Sequence, residues 1–220
     1  MSADSPRIAL IHALLHSVAP INEAFANDWP QAERMNLIDD SLSSDLAASP
    51  SGLDARMTAR FIALAGYAIE TGAQGILFTC SAFGRCIDAV KEKWPHIPVL
   101  KPNEAMIDEA VATGRRIGLI ASFAPTLASM PAEFPSHIVL RQALASGALE
   151  ALNRGDTSTH DRLVADAAAS IANEVDVIAL AQFSLARAAP SVSERTKVPV
   201  LTTPQSAVRK LREGIEGRAR

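Results

Sequence analysis

The chain has 220 residues, a net charge of −3 at neutral pH, and an apolar share of 48% against 20% charged. That is enough to build a real core, as one large α/β domain or as two small lobes that share a cleft. It leaves no dense Lys/Arg surface for a nucleic-acid backbone and no apolar run of membrane-spanning length. The N-terminus lacks the charged-then-apolar pattern of a signal segment, so the expected location is the cytoplasm, where Cys80 and Cys86 stay reduced.

Arg7-Ile-Ala-Leu-Ile11 reads as the first strand. The apolar run from Ile8 to Leu15 is broken by His12, as in a strand leaving for a loop. His12 and His16 are at a spacing that makes a metal pair on a helix, but a strand end does not offer that geometry. His12 is then either a substrate contact or a satisfied structural histidine. Asp39, Asp40 and Asp45 lie in a polar cluster that reads as loop and helix-capping chemistry before acid/base work. Loops such as Ser41 to Ala55 are expected to shape the pocket.

Phe61, Ile62, Ala65 and Ile69 recur at one-turn spacing and mark an amphipathic helix, which leads into the apolar strand Gly75-Ile-Leu-Phe-Thr79. Cys80 follows, in Phe78-Thr-Cys-Ser-Ala-Phe-Gly84, before a helix expected to start near Gly84. A thiol near a helix start meets unsatisfied N–H groups and the positive end of the dipole, which lowers its pKa. The alternative is a small buried hydrophobe. Cys86 lies inside the helix and reads as packing. No His or Cys stands at ligand spacing from either thiol, so no zinc site is expected. His96, His137 and His160 precede strands or a helix and look unremarkable.

In the second half, Arg116-Ile-Gly-Leu-Ile120 is a strand that leads into Ala121-Ser-Phe-Ala-Pro-Thr126. Ser122, the backbone N–H groups and Thr126 either hold a carboxylate or cap a helix. Leu163, Val164, Ala167 and Ile171 form a second helical stripe, followed by the strand Val175-Asp-Val-Ile-Ala-Leu180 and then Ala181-Gln-Phe-Ser184. The basic tail, with Arg209, Lys210, Arg212, Arg218 and Arg220 interspersed with Glu213 and Glu216, reads as a solvated helix end.

These elements repeat. Arg7–Ile11 matches Arg116–Ile120, the helix from Phe61 matches that from Leu163, and Ile97-Pro-Val-Leu100 matches Val198-Pro-Val-Leu201. The predicted fold class is α/β, with two pseudo-symmetric lobes, each a parallel sheet flanked by helices. The lobes span residues 1–103 and 104–204, and a C-terminal helix over 205–220 is able to pack back on the first. In such folds ligands bind beyond the carboxyl ends of the strands, here in the cleft between the lobes. Aligning Ile76 with Ile178 sets Cys80 against Gln182 and Ser81 against Phe183.

No G-x-G-x-x-G, P-loop lysine motif or G-x-S-x-G elbow occurs. The duplicated plan, the Cys80-Ser81-Ala82 turn after a strand and the segment Ile117 to Thr126 together resemble the aspartate/glutamate/hydantoin racemase superfamily, which also contains arylmalonate decarboxylase and maleate isomerase. The resemblance covers nearly the whole chain. It implies a cofactor-independent enzyme that moves a proton at the carbon next to the carboxylate of a small acid or amino acid. No pyridoxal, flavin, nucleotide or metal is expected. Cys80 takes the place of the first catalytic thiol, with substrate contacts from His12, Ser81, Ala82, Ser122, Phe123, Thr126, Phe183 and Ser184. Members of the family often form homo-oligomers.

One departure stands out. Two-base racemases of this family carry a second Cys after the equivalent strand of the second lobe, where this chain has Gln182, whose amide does not exchange protons at neutral pH. The resemblance still implies an amino-acid racemase first, with a one-thiol decarboxylase or cis–trans isomerase as the chemical alternative and a non-catalytic carboxylate binder as the rival from another class.

Overall fold

Strands form where short apolar runs are bounded by Gly, Asp or Pro. The computed structural model describes residues 5–217, so Arg218 and Arg220 of the basic tail lie outside the described residues. β1 (Arg7–His12), β2 (Glu33–Ile38), β3 (Gly75–Phe78) and β4 (Val99–Leu100) form one parallel sheet in the order β2-β1-β3-β4. β5 (Arg116–Ala121), β6 (Val139–Leu144), β7 (Val177–Leu180) and β8 (Val200–Thr202) form another in the order β6-β5-β7-β8. The helices are α1 (Val18–Asp28), α2 (Ser41–Ala48), α3 (Ala55–Glu70), α4 (Gly84–Lys93), α5 (Glu104–Thr113), α6 (Ala124–Ser129), α7 (Ala148–Asn153), α8 (Thr157–Ala169), α9 (Ala189–Thr196) and α10 (Thr203–Glu216). By contacts the chain divides into two compact units, residues 1–102 with 207–220 and residues 103–206.

The register of the two sheets carries the duplication to the level of single residues. Ala9 pairs with Ile76 and Ile76 with Val99, while Gly118 pairs with Ile178 and Ile178 with Val200. The N–H of Ile76 donates to Pro98 O at 2.8 Å, and that of Ile178 to Pro199 O at 2.9 Å. Past the strand ends, Thr79 N–H reaches Ile11 O and Ala181 N–H reaches Ile120 O, at 3.0 and 2.9 Å. Counting on from either pair, Cys80 and Gln182 hold the same position in their own units.

Several elements differ from expectation in extent. The helices around Phe61 and Leu163 start six residues earlier, because Asp54 and Asp156 cap them by accepting from the N–H groups of Met57 (2.8 Å) and Thr159 (3.0 Å). β3 stops at Phe78, not Thr79, and β7 starts at Val177, not Val175. β2 and β6 are edge strands that the apolar-run criterion passes over. Both are mostly exposed, with Met35 and Leu37 half-buried on β2 and Leu140 and Ala143 on β6. The C-terminal segment is more than a solvated end: in α10, Ala207, Val208 and Leu211 are fully buried, while Arg209 and Arg212 are exposed. Gly75 gives this helix its seat, since a Cβ there would lie 3.0 Å from Ile215 Cδ1 and 3.4 Å from Leu211 Cδ2.

In the first unit, Phe61 of α3 packs its ring against Phe78 (centroids 5.2 Å apart) and Phe83 (4.9 Å). These two rings stand on either side of Cys80 in the chain, so the aromatic cluster fixes both ends of its turn. Phe61→Ala removes the shared partner and leaves a cavity. It is expected to lower the unfolding free energy by about 3–5 kcal/mol in a denaturant titration.

Candidate active site

Thr79 and Cys80 carry the chain out of β3 in extended backbone (Cys80 φ −127°, ψ 121°), and a single 3₁₀ turn, Ser81–Phe83, joins them to α4 at Gly84. Ser81 and Ala82 are exposed and Cys80 is half-buried. The thiol lies in a narrow crevice with Ile11, His12, Ala13, Leu42, Phe61 and Phe78.

Burial in these surroundings pushes the Cys80 thiol above its ordinary pKa, although the Ala82 N–H donates to the sulfur and works in the other direction. The lowered pKa expected from the helix start is therefore corrected. α4 begins four residues further on, and desolvation by the apolar wall outweighs the one backbone donor at hand. Cys80 rests as a protonated thiol at neutral pH, a proton donor before it is a base. Its alkylation by iodoacetamide should be slow at pH 7 and should climb only as the pH passes the ordinary thiol value of about 8.5. A rate already at its plateau at pH 7, followed by mass spectrometry of the Cys80 peptide, would contradict this. Cys86 is fully buried in the core on α4, with Thr58 Oγ1 3.5 Å from its sulfur.

His12 closes β1 and is fully buried. Its Nδ1 lies 2.9 Å from Thr79 Oγ1 and its Nε2 3.0 Å from Asn36 Oδ1. An amide oxygen only accepts, so Nε2 carries the proton, and Nδ1 accepts from the Thr79 hydroxyl. Burial lowers the His12 pKa, and the Asn36 bond only partly offsets it, so the ring is neutral near pH 7. Nδ1 holds the residue before Cys80 and Nε2 ties the ring to Asn36, so both nitrogens are engaged, the arrangement of a structural histidine. His16 sits exposed in a 3₁₀ turn, Leu15–Ser17, and does not share a helix face with His12.

In the second unit, Ser122 follows β5 and Gln182 follows β7. Gln182 is extended (φ −140°, ψ 146°) and precedes a 3₁₀ segment, Phe183–Ala188, which repeats the local geometry of Cys80. Its Oε1 accepts from both the N–H (2.7 Å) and the hydroxyl (3.1 Å) of Ser122. The two Ser122 donors expected to hold a carboxylate or cap a helix are thus bound to Gln182. Phe123 is half exposed, and Thr126 N–H donates to Phe123 O at 3.0 Å, closing the first turn of α6. Phe183 is buried and Ser184 half-buried.

The acidic cluster is structural. Asp39 accepts from the N–H (3.3 Å) and hydroxyl (2.7 Å) of Ser41, and Arg60 bridges Asp39 (2.6 Å) and Asp45 (2.5 Å). Partial burial pushes the Asp39 carboxyl up, but the bonds from Ser41 and Arg60 outweigh it and hold the pKa below the usual range. Asp40 sits at the N-cap of α2 without making a side-chain cap bond.

His160, expected to precede a helix and look unremarkable, instead lies within α8, fully buried. Its Nδ1 is 2.7 Å from Asp161 Oδ1, which Arg187 also holds at 2.9 Å. Among the described residues no group of three or more His, Cys, Asp or Glu side chains could hold a metal ion, and no helix is long and apolar enough to cross a membrane.

The sequence model of the Asp/Glu/Hydantoin racemase family matches residues 15–211. Among curated proteins none matches the sequence. Among solved structures the chain is similar to glutamate racemase from Francisella tularensis in complex with D-glutamate, at 15% identity and a TM-score of 0.68, over 98% of this chain and 83% of that one. It is similar to arylmalonate decarboxylase at 21% identity and a TM-score of 0.68, over 96% and 93% of the two chains. It is also similar to allantoin racemase from Klebsiella pneumoniae at 18% identity and a TM-score of 0.70, over 97% and 89%. At such identities these structures speak for the fold, two parallel four-stranded sheets flanked by helices, while the family match spans most of the chain. The chain belongs to the Asp/Glu/Hydantoin racemase family, an enzyme family of racemases and related isomerases and decarboxylases.

Proposed function

We propose that this enzyme transfers a proton at the carbon next to the carboxylate of a small acid or amino acid, with Cys80 as its one acid/base thiol and no cofactor. The observation that carries the reading is the difference between two equivalent strand ends. One ends in a thiol kept protonated by burial, and the other in an amide that does not exchange protons at neutral pH. Segment 122–126 of the second unit is proposed to help hold the substrate. The cytoplasm, where both thiols stay free, is its proposed location.

A protonated resting thiol favours one reaction within this class. Loss of carbon dioxide from a substituted malonate breaks a C–C bond and leaves its electron pair on the α-carbon as an enediolate. The Cys80 S–H then protonates that carbon, and water restores the thiol. Racemisation needs the thiolate first and a second acid/base group, which the amide of Gln182 at the equivalent strand end does not supply. The test is incubation in deuterium oxide with malonate, phenylmalonate, and both hands of aspartate and glutamate, followed by proton NMR. Incorporation of deuterium at the α-carbon that disappears in Cys80→Ala supports the reading. Incorporation that persists in that variant, or none with any of these acids, sinks it.

A further inference from the structure

Gln182 does more than fill the place of a missing thiol. Its side chain makes no capping bond to its own 3₁₀ segment and reaches sideways to the end of β5, where Oε1 takes both Ser122 donors. The Ser122 backbone N–H can only donate, so chemistry fixes which end of the amide is oxygen. The NH2 end is then turned away from Ser122, and among the described residues it makes no hydrogen bond. Its Nε2 is not among the described side-chain atoms that are fully buried without a partner, so that end is open to a ligand.

We propose that Gln182 is a hydrogen-bond donor to the substrate carboxylate, its Nε2 aimed by the two bonds from Ser122 to Oε1. This rests on the reading of the ligand as a small carboxylate. Two N–H donors without a charge suit an anion, and the Ser122 bonds polarise the amide so that its N–H groups donate more strongly. Ser122 is then a positioning residue, acting on the anion through Gln182. Cysteine at this position would supply a proton donor but no such grip, so the two residue types mark different uses of one scaffold position.

The isosteric change Gln182→Glu separates this role from a structural one. A glutamate keeps an oxygen on the Ser122 donors but turns a second, negatively charged acceptor to the ligand. Gln182→Ala instead removes the donor and frees the Ser122 N–H and hydroxyl, which take up part of the anion themselves. Isothermal titration of the full chain with malonate, phenylmalonate and both hands of aspartate and glutamate reads the difference, with malonamide as the uncharged control. We expect Gln182→Glu to weaken the best of these carboxylates by about 100-fold or more and Gln182→Ala by about 10-fold, as expected for losing a hydrogen bond to a charged group with and without added repulsion. Thermal unfolding should change little in Gln182→Glu. Equal binding by Gln182→Glu and the unmodified protein, a larger loss in Gln182→Ala, or no binding of any carboxylate by the unmodified protein would overturn the proposal. Cys80→Ala in the deuterium-exchange assay keeps the two ideas apart. Exchange that survives in that variant counts against Cys80 as the acid, while the binding loss in Gln182→Glu stands independently.

Discussion

Cys80→Ala is expected to lower turnover by about 10⁴-fold, the upper end of what one general acid supplies, while the protein stays folded. The thiol is the group at its strand end with a proton to give, because Ser81 and Ala82 offer only a hydroxyl and backbone and the neighbouring His12 is neutral with both nitrogens bound. Cys80 packs on the first unit's core at its margin and is half-buried, so deleting the sulfur should cost about 1 kcal/mol of stability. Cys80→Ser is the sharper control. It keeps the shape and can still accept from the Ala82 N–H, but a hydroxyl is a far weaker acid, so turnover should fall nearly as far with KM little changed. Steady-state kinetics on both variants, with circular dichroism to check folding, reads the result. A loss below tenfold in either would mean that another group moves the proton.

Gln182→Cys should have the opposite sign for one reaction. It places a thiol at the position equivalent to Cys80, in the same extended geometry before a 3₁₀ segment. A second acid/base group should raise the interconversion of enantiomers by about 100-fold at saturating substrate. The change also removes the amide bound by Ser122, so KM should rise while the interconversion kcat increases. Chiral chromatography of the product over time measures both. A variant that interconverts no faster than the unmodified protein would show that the position lacks access to the substrate carbon.

Much of this was legible in the sequence because parallel strands buried on both faces read as apolar runs. β1, β3, β5 and β7 stand within two residues of expectation, and the paired Pro-Val-Leu segments set the register that equates Cys80 with Gln182. The edge strands β2 and β6 are not legible because most of each is solvated, and Glu33 or Arg141 in a strand gives no apolar signal. The raised pKa of Cys80 is not legible in the sequence for a related reason. The helix start lies nearby in sequence and pulls the expectation down, whereas the apolar wall is assembled from Ile11, Leu42, Phe61 and Phe78, none of them adjacent to the thiol in the chain. The bonds between Ser122 and Gln182, and between His12, Thr79 and Asn36, likewise join residues far apart in sequence. Residue type points to where chemistry sits, and the sheet decides which partners meet.

Cys80 is proposed to serve one face of the substrate carbon. The most direct measurement is the stereochemistry of the deuterium delivered by the unmodified enzyme in deuterium oxide, read by NMR and chiral chromatography on a product whose α-carbon is a stereocentre, from a disubstituted malonate or an amino acid. A single deuterium and one hand in large excess are expected. Equal labelling of both hands from the earliest time points would contradict it, because that outcome requires a second proton donor opposite Cys80.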